Sequence, residues 1–210
     1  MDTRILKANA ILFLAAVLFG SVFVAQRIAM DHLGPFSYTG IRFALGAFCL
    51  APVAWYRSRR WAGRACSHKE ETRAKFSGRW QPVWASLVSG GLMCLTINLQ
   101  QIGLVHTTAG KAGFITGLYI IIVPLLRLFI GKRPGLGLWA GASLGATGLY
   151  FLSVSQSFSL APGDGWVLAC AFAAAGHVIV IGWLAPEMDS FVLAFGQTLV
   201  NALVSLALAL

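Results

Sequence analysis

The amino-acid sequence predicts an all-α protein, a polytopic transmembrane helical bundle, and three observations support this fold class. Hydrophobic residues make up 58% of the 210 residues and charged residues only 11%, whereas a soluble domain has about 25% charged residues. The mean hydropathy is +0.76. Seven mainly apolar segments each have about the length that a helix needs to cross a bilayer. A soluble protein this apolar could not cover its surface with polar groups, so we exclude that class.

The predicted spans are separated by short segments rich in Pro, Gly and polar residues. In chain order they cover residues 9–28, 36–56, 82–104, 108–130, 137–155, 164–184 and 190–210. The first span follows a short basic start and has no small-residue cleavage site, so we expect it to be retained. Pro124 lies deep in the fourth span and predicts a kink there.

The distribution of positive charge predicts the orientation of the bundle. The net charge is +9, and eight of the sixteen Lys and Arg residues lie in one loop, residues 57–79. Placing the N-terminus in the cytoplasm puts thirteen of the sixteen on the cytoplasmic side, as the positive-inside rule requires. We therefore predict a multi-pass protein of the cell inner (plasma) membrane and no nucleic-acid partner. Binding of anionic lipid is the alternative role for the basic loop.

Two stretches of the chain resemble each other at an offset of about 155 residues, one starting at Ala15 and the other at Cys170. Arg42 aligns with Gln197 in this comparison. Five predicted spans separate the copies, so the second copy would be inserted upside down, as in many secondary transporters. The sequence thus predicts a five-helix repeat over residues 1–155 and an inverted, incomplete repeat over 156–210, seven spans of a ten-helix fold. Chance similarity between apolar helices is the alternative.

Small residues predict where helices pack closely. Gly137, Gly141 and Gly145 recur at four-residue steps in the fifth span, and such ladders let two backbones approach where the hydrophobic effect cannot drive association. The alternative is that glycine is simply frequent in membrane helices.

Polar residues within the spans are the candidates for a substrate cavity, because burying them in a bilayer is costly. Counting about 1.5 Å per residue places Arg42 ~9 Å and Lys111 ~5 Å below the outer surface. We predict that five residues line a water-accessible cavity: Arg42, Asn98, Gln101, Lys111 and Tyr119.

Structural roles remain open for each of these residues. Lys111 is shallow enough to extend its ammonium group to the lipid headgroups. Arg42 could bind backbone carbonyls or Asp31, and Asn98 and Gln101 could bridge helices. His177 and Gln197 fall toward the inner half, where His177 could carry a proton or simply bond a neighbouring helix.

Several stretches together resemble the EamA family of the drug/metabolite transporter superfamily. They are "AAVLFGSVFVAQRIAMDHLGPFSYTGIRF", "GLVHTTAGKAGFITGLYIIIVPLL" and "LWAGASLGATGLYFLS". The resemblance implies ten helices in two inverted five-helix repeats that move small metabolites across a bacterial inner membrane. Lys132 departs from the family, which often has a Glu at that point.

The combined prediction is a secondary transporter of small organic solutes, an exporter that alternates access between inverted repeats. None of the seven carboxylates lies in the interior of a predicted span, since Asp31, Asp164, Glu187 and Asp189 fall at span ends or in loops and the others lie outside the spans. We therefore expect facilitated or exchange transport unless His177 or further helices carry protons. No HExxH motif and no metal-ligand spacing occurs, and we predict no enzyme activity, cofactor or metal. The alternative is a truncated, non-transporting membrane protein. The expected partners are a small solute, the lipid bilayer, and a homodimer mate or complementing chain.

Overall fold

The computed structural model describes residues 3–29, 33–65, 81–131, 135–153, 161–186 and 188–210, and in these ranges the chain forms helices joined by short connections, with no strand. The helices are α1 (Thr3–Ala29), α2 (Pro35–Ala65), α3 (Gln81–Val105), α4 (Ala109–Gly117), α5 (Tyr119–Phe129), α6 (Leu136–Ser153), α7 (Asp164–Leu184) and α8 (Ser190–Ala209). The predicted all-helical class is therefore confirmed.

The membrane-length helices agree with the predicted spans. Within the described ranges, six segments are long and apolar enough to cross a membrane: α1, α2, α3, α7, α8 and the consecutive pair α4–α5. The remaining predicted span corresponds to α6, whose 18 residues extend about 27 Å, close to the ~30 Å hydrocarbon core. The inverted relation between the two predicted repeats stays a prediction.

The basic loop begins later than the sequence predicts. The loop was expected from residue 57, but α2 continues to Ala65, and residues 66–80 lie outside the described part of the chain. Arg and Ala in this segment are strong helix formers, and a helix that leaves the hydrocarbon does not need to end there.

The fourth predicted span divides into α4 and α5 at Leu118, while the kink predicted at Pro124 stays a prediction. Leu118 N–H donates to the Ile115 carbonyl and Ile121 N–H donates to the Leu118 carbonyl, both three residues back. The Leu118 backbone stays in the right-handed helical region, with φ −59° and ψ −19°. The interruption is thus a tightened turn between α4 and α5, and Pro124 lies buried inside α5.

Helix α3 lies at the centre of the described bundle, where it packs against both α7 and α8. It runs parallel to α8, since Ser86 faces Gly196 and Asn98 faces Ser205. Helix α8 in turn packs antiparallel along α2. Few large apolar side chains are fully buried between the described helices. Many are exposed on the outside of the bundle, including Phe13, Phe48 and Leu144. This outward-facing apolar surface fits a bilayer solvent.

The closest helix contacts involve glycines that the sequence pattern did not single out. A Cβ on Gly163 would overlap the carbonyl oxygen of Gly103 and come within 3.0 Å of His106. A Cβ on Gly103 would lie 2.5 Å from a Val167 methyl group. Three further glycines face a neighbouring helix at similar range: Gly40 against Leu206, Gly90 against Val200, and Gly196 against Ser86.

The predicted glycine ladder of α6 makes few contacts in this structure. A Cβ on Gly137 or Gly141 would meet nothing within 4 Å, and one on Gly145 would only touch Ile120 at 3.7 Å. Because bilayer or another helix can cover this face, its role in helix packing stays a prediction.

We expect Gly163→Ala to destabilise the bundle, because its methyl group has no space between α3 and α7. Gly141→Ala is the matched control: it adds the same methyl group in open space and raises helix propensity by about 1 kcal/mol. Thermal unfolding of the detergent-purified variants should show a lower midpoint for Gly163→Ala and an equal or higher midpoint for Gly141→Ala. A lower midpoint for Gly141→Ala would show that the ladder does pack against something.

Candidate functional site

A cluster of polar contacts ties the start of α7 to α4 and to the connection between α3 and α4, at one end of the bundle, called here the Lys111 end. Lys111 Nζ lies 4.0 Å from Asp164 Oδ2, and the two side chains are only 18% and 12% exposed. Thr107 Oγ1 donates to Asp164 Oδ1 at 2.6 Å, and Ala161 N–H donates to Asp164 Oδ2 at 2.9 Å. A carboxylate at the first position of α7 also suits the positive end of the helix dipole. Lys111 therefore has a local counter-charge.

Two arginines at the same end hold α1 to its neighbours. Arg27 Nη1 donates to the carbonyls of Leu104 and Val105, at 3.0 and 3.1 Å, which satisfies orphan acceptors at the end of α3. Arg42, on α2, donates to the carboxamide oxygen of Gln26 on α1, with that amide oriented so that donors meet acceptors.

The Arg42 guanidinium also lies against aromatic rings. It is 5.5 Å from the Tyr38 ring centroid and 4.8 Å from that of Phe43. Cation–π contact of this kind stabilises a partly desolvated guanidinium. Asp31, the partner proposed from the sequence, lies outside the described residues.

Polar side chains lie along the contact between α3 and α8: Cys94 and Asn98 on α3, with Asn201 and Ser205 on α8. Gln101 lies three residues after Asn98, on the same face of α3. We call these five residues the polar stripe. Asn98 Nδ2 donates to the Cys94 carbonyl at 2.8 Å and to Ser205 Oγ at 3.1 Å. Ser205 Oγ donates to Asn201 Oδ1 at 3.1 Å. These bonds join α3 to α8.

Two carboxamides of the stripe keep polar atoms without partners. Gln101 and Asn201 are both 0% exposed. Gln101 Oε1 and Nε2, and Asn201 Nδ2, have no hydrogen-bond partner among the described residues. The adjacent Gln100 differs, because its Nε2 donates to Thr116 Oγ1 on α4 at 3.2 Å.

The remaining predicted candidates lie elsewhere. Gln197 Oε1 accepts from His177 Nε2 at 3.1 Å in the tautomer that protonates this nitrogen, which links α8 to α7. Tyr119 is half-buried in the first turn of α5. The predicted residues make different contacts in this structure, and their role in lining a substrate cavity stays a prediction.

An ion pair closes the opposite end of the bundle, called here the Arg57 end. Arg57 Nε donates to Asp189 Oδ2 at 3.0 Å, and the guanidinium lies 4.6 Å from the Phe191 ring centroid. Asp189 is also the N-cap of α8, accepting from Phe191 N–H at 2.9 Å. Partial burial alone would raise the pKa of the Asp189 carboxyl, but Phe191 N–H and Arg57 favour the carboxylate, and together they lower the pKa below its ordinary value.

Comparison with known proteins identifies the family to which this helical bundle belongs. The family model of the EamA-like transporter family matches residues 6–154. The chain belongs to the EamA-like transporter family. It is 27% identical over 198 residues, 92% of the chain, to an uncharacterized transporter of Archaeoglobus fulgidus. The chain spans about half (54%) of the length of that curated relative. No solved structure matches.

Family membership confirms the resemblance found in the sequence motifs, and the membrane-length helices support a multi-pass membrane protein. Within the described part of this EamA-family chain, no group of three His, Cys, Asp or Glu side chains could hold a metal ion.

Sequence reasoning missed the partners on α7 and α8. Asp164 and Asp189 were placed only at helix ends, and Asn201 and Ser205 were not singled out. A pattern for the α8 residues was present, because Gln197, Asn201 and Ser205 recur at four-residue steps in an otherwise apolar helix of this EamA-family chain. No comparable pattern indicates which helix a single terminal carboxylate will meet.

We expect the Arg57–Asp189 pair to make stability depend on pH. Because the folded-state pKa of Asp189 is lowered, its stabilising effect is present above the unfolded pKa of about 3.9 and is lost as the pH falls through the folded value. Asp189→Asn keeps the N-cap but removes the charge, so it should cost about 1 kcal/mol or less near neutral pH. Its thermal midpoint should also fall less steeply than that of the unchanged protein on acidification.

Arg57→Gln is the matched partner for this experiment. In the Asp189→Asn background, Arg57→Gln should lower the thermal midpoint little further, since the ion pair is already broken. Parallel midpoint-against-pH curves for the unchanged protein and Asp189→Asn would contradict the assignment.

Proposed function

We propose that the protein is a secondary transporter that exports small organic solutes, alternating access between two inverted repeats. The observation that carries the proposal is the match to the EamA-like transporter family over residues 6–154. The buried polar side chains between α3 and α8 support it, because polar residues in membrane helices are costly and usually face the bundle interior or a water-filled cavity that a solute can use.

The orientation proposed with this function places the N-terminus in the cytoplasm and the protein in the inner membrane. The support is the bias of Lys and Arg toward the loops on one side, above all residues 57–79. In this orientation the Lys111 end faces outward and the Arg57 end faces the cytoplasm.

Alternating access would use the two ion pairs as opposing closures. Asp164 joins α7 to Lys111 on α4 at one end, and Asp189 joins α8 to Arg57 on α2 at the other. Each pair connects a helix of the predicted first repeat to one of the second. Opening the bundle toward either side would therefore separate one pair while the other stays closed.

The proposed coupling is facilitated or exchange transport. In the described ranges the carboxylates Asp164 and Asp189 lie at helix starts, and a proton relay normally uses carboxylates deeper in the membrane. His177, the remaining candidate for proton transfer, donates to Gln197.

Export can be tested by metabolite profiling of the culture medium. Cells expressing the protein should release at least one small organic solute faster than cells carrying an empty vector. Gly196→Leu is the matched control, because its side chain would collide with Ser86 and keep α8 away from α3. Uptake of a solute would contradict the export direction but not transport. Absence of any difference would favour the alternative, a non-transporting membrane protein that needs a partner chain.

Coupling is tested on a solute identified in this way. In proteoliposomes that enclose a pH-sensitive dye, we expect solute movement without coupled proton movement. A solute-dependent proton flux that Asp164→Asn abolishes, while expression and folding are unchanged, would overturn the proposed coupling.

A further inference from the structure

The polar stripe contains groups that the folded helices leave unsatisfied. Gln101 and Asn201 are fully buried, yet both polar atoms of Gln101 and the amide nitrogen of Asn201 lack partners among the described residues. Burying an unpaired amide costs roughly 1–3 kcal/mol by mutational data and more in hydrocarbon. A leucine would fill such a position in a purely structural helix contact at no such cost. The two amides therefore point to a partner that the helices themselves do not supply.

The packing of α3 against α8 shows where such a partner can enter. Toward the Arg57 end the two helices touch nearly backbone to backbone, because Gly90 faces Val200 and Gly196 faces Ser86. Toward the Lys111 end the contact consists instead of polar side chains, among them Asn98 and Ser205. Separating α3 from α8 at the polar end would break hydrogen bonds that water or a solute can replace, whereas separating them at the glycine end would lose close packing.

The charges around the stripe limit the class of ligand. The two cations predicted to line the cavity are already engaged, Arg42 by Gln26 on α1 and Lys111 by Asp164 on α7. The residues of the stripe itself are neutral. A charged group brought here would lack a counter-charge in a medium of low dielectric, whereas a neutral group with adjacent donor and acceptor can pair with both ends of a carboxamide.

We infer that the polar stripe is a solute-contact surface that opens to water at the Lys111 end, and that Gln101 and Asn201 each bind an uncharged hydrogen-bonding group of the solute, such as a carboxamide. This inference rests on the proposed transport function and adds to it the contact residues on α8 and the chemistry of the group bound.

Water access can be tested without a known substrate. In a full-length chain whose Cys49, Cys66, Cys94 and Cys170 are replaced by Ala, single cysteines are placed at Gln101, Asn201 and Ser205. The probe is the membrane-impermeant thiol reagent sodium (2-sulfonatoethyl)methanethiosulfonate, added to intact cells. The matched controls are Leu95→Cys and Leu203→Cys on the same two helices, whose native side chains are 51% and 61% exposed toward lipid.

We expect the stripe cysteines to react at least about tenfold faster than the lipid-facing controls, because the reagent needs a thiolate in water and a thiol in hydrocarbon stays protonated. Equal rates at stripe and control positions, whether fast or slow, would overturn the inference. A monodisperse elution profile for each variant identifies any chain that has failed to fold, and the three stripe positions provide independent measurements.

The ligand class is tested on Ser205→Cys, which leaves both orphan amides in place. Benzamide and benzoate have nearly the same shape but differ in charge, and we expect benzamide to slow the labelling more. Adding Gln101→Leu should remove this protection. Protection by benzoate that equals or exceeds that by benzamide, or protection by neither, would overturn the assignment of a neutral group.

These outcomes separate this inference from the proposed function. Export into the medium with an unreactive stripe would leave transport standing and remove the inference. A reactive, benzamide-protected stripe without export would support the contact surface and contradict the exporter.

Discussion

The absence of water in the bilayer interior is the constraint on which this structure depends. Apolar side chains gain nothing by leaving lipid for another helix, so contacts between helices rest on close packing and on hydrogen bonds. Both are visible along α3: glycines bring it close to α7 and α8, and Asn98 bonds to Ser205 across the interface. A bilayer can solvate the extensive apolar surface of the described bundle.

The same constraint explains where the ionised groups lie. Asp164 and Asp189 sit at the starts of α7 and α8, where a carboxylate meets free N–H groups and a nearby cation. The two carboxylates lie at opposite ends of the bundle. Asp164 connects α7, and Asp189 connects α8, to a helix earlier in the chain. The charged contacts hold the ends of the bundle, and the neutral polar contacts hold its interior.

Lys111 illustrates how the tertiary structure changes an interpretation. The sequence allows it to line a cavity or to extend toward headgroups. In the structure it lies 4.0 Å from Asp164, a residue 53 positions further along the chain. Arg42 behaves similarly, since its partner is Gln26 on α1. With both cations engaged, the buried side-chain atoms that lack a hydrogen-bond partner in the described part of the chain belong to the neutral amides Gln101 and Asn201.

The sequence by itself determined the class of protein, the positions of the membrane-length helices and the family, because these depend on composition, on segment length and on local motifs. It also showed polar residues within the spans, where burial in a bilayer is costly. Asn98 and Gln101 are therefore candidates for a site, but the sequence does not say which residues they contact. Only the tertiary structure decided which helices meet. The glycines that allow close approach, such as Gly103 and Gly163, are not those of the regular ladder of α6. The missing side chain of a glycine affects helix packing only where a neighbouring segment comes close to it. Pairing across helices depends on the register between distant segments, and no local pattern in a single sequence encodes that register.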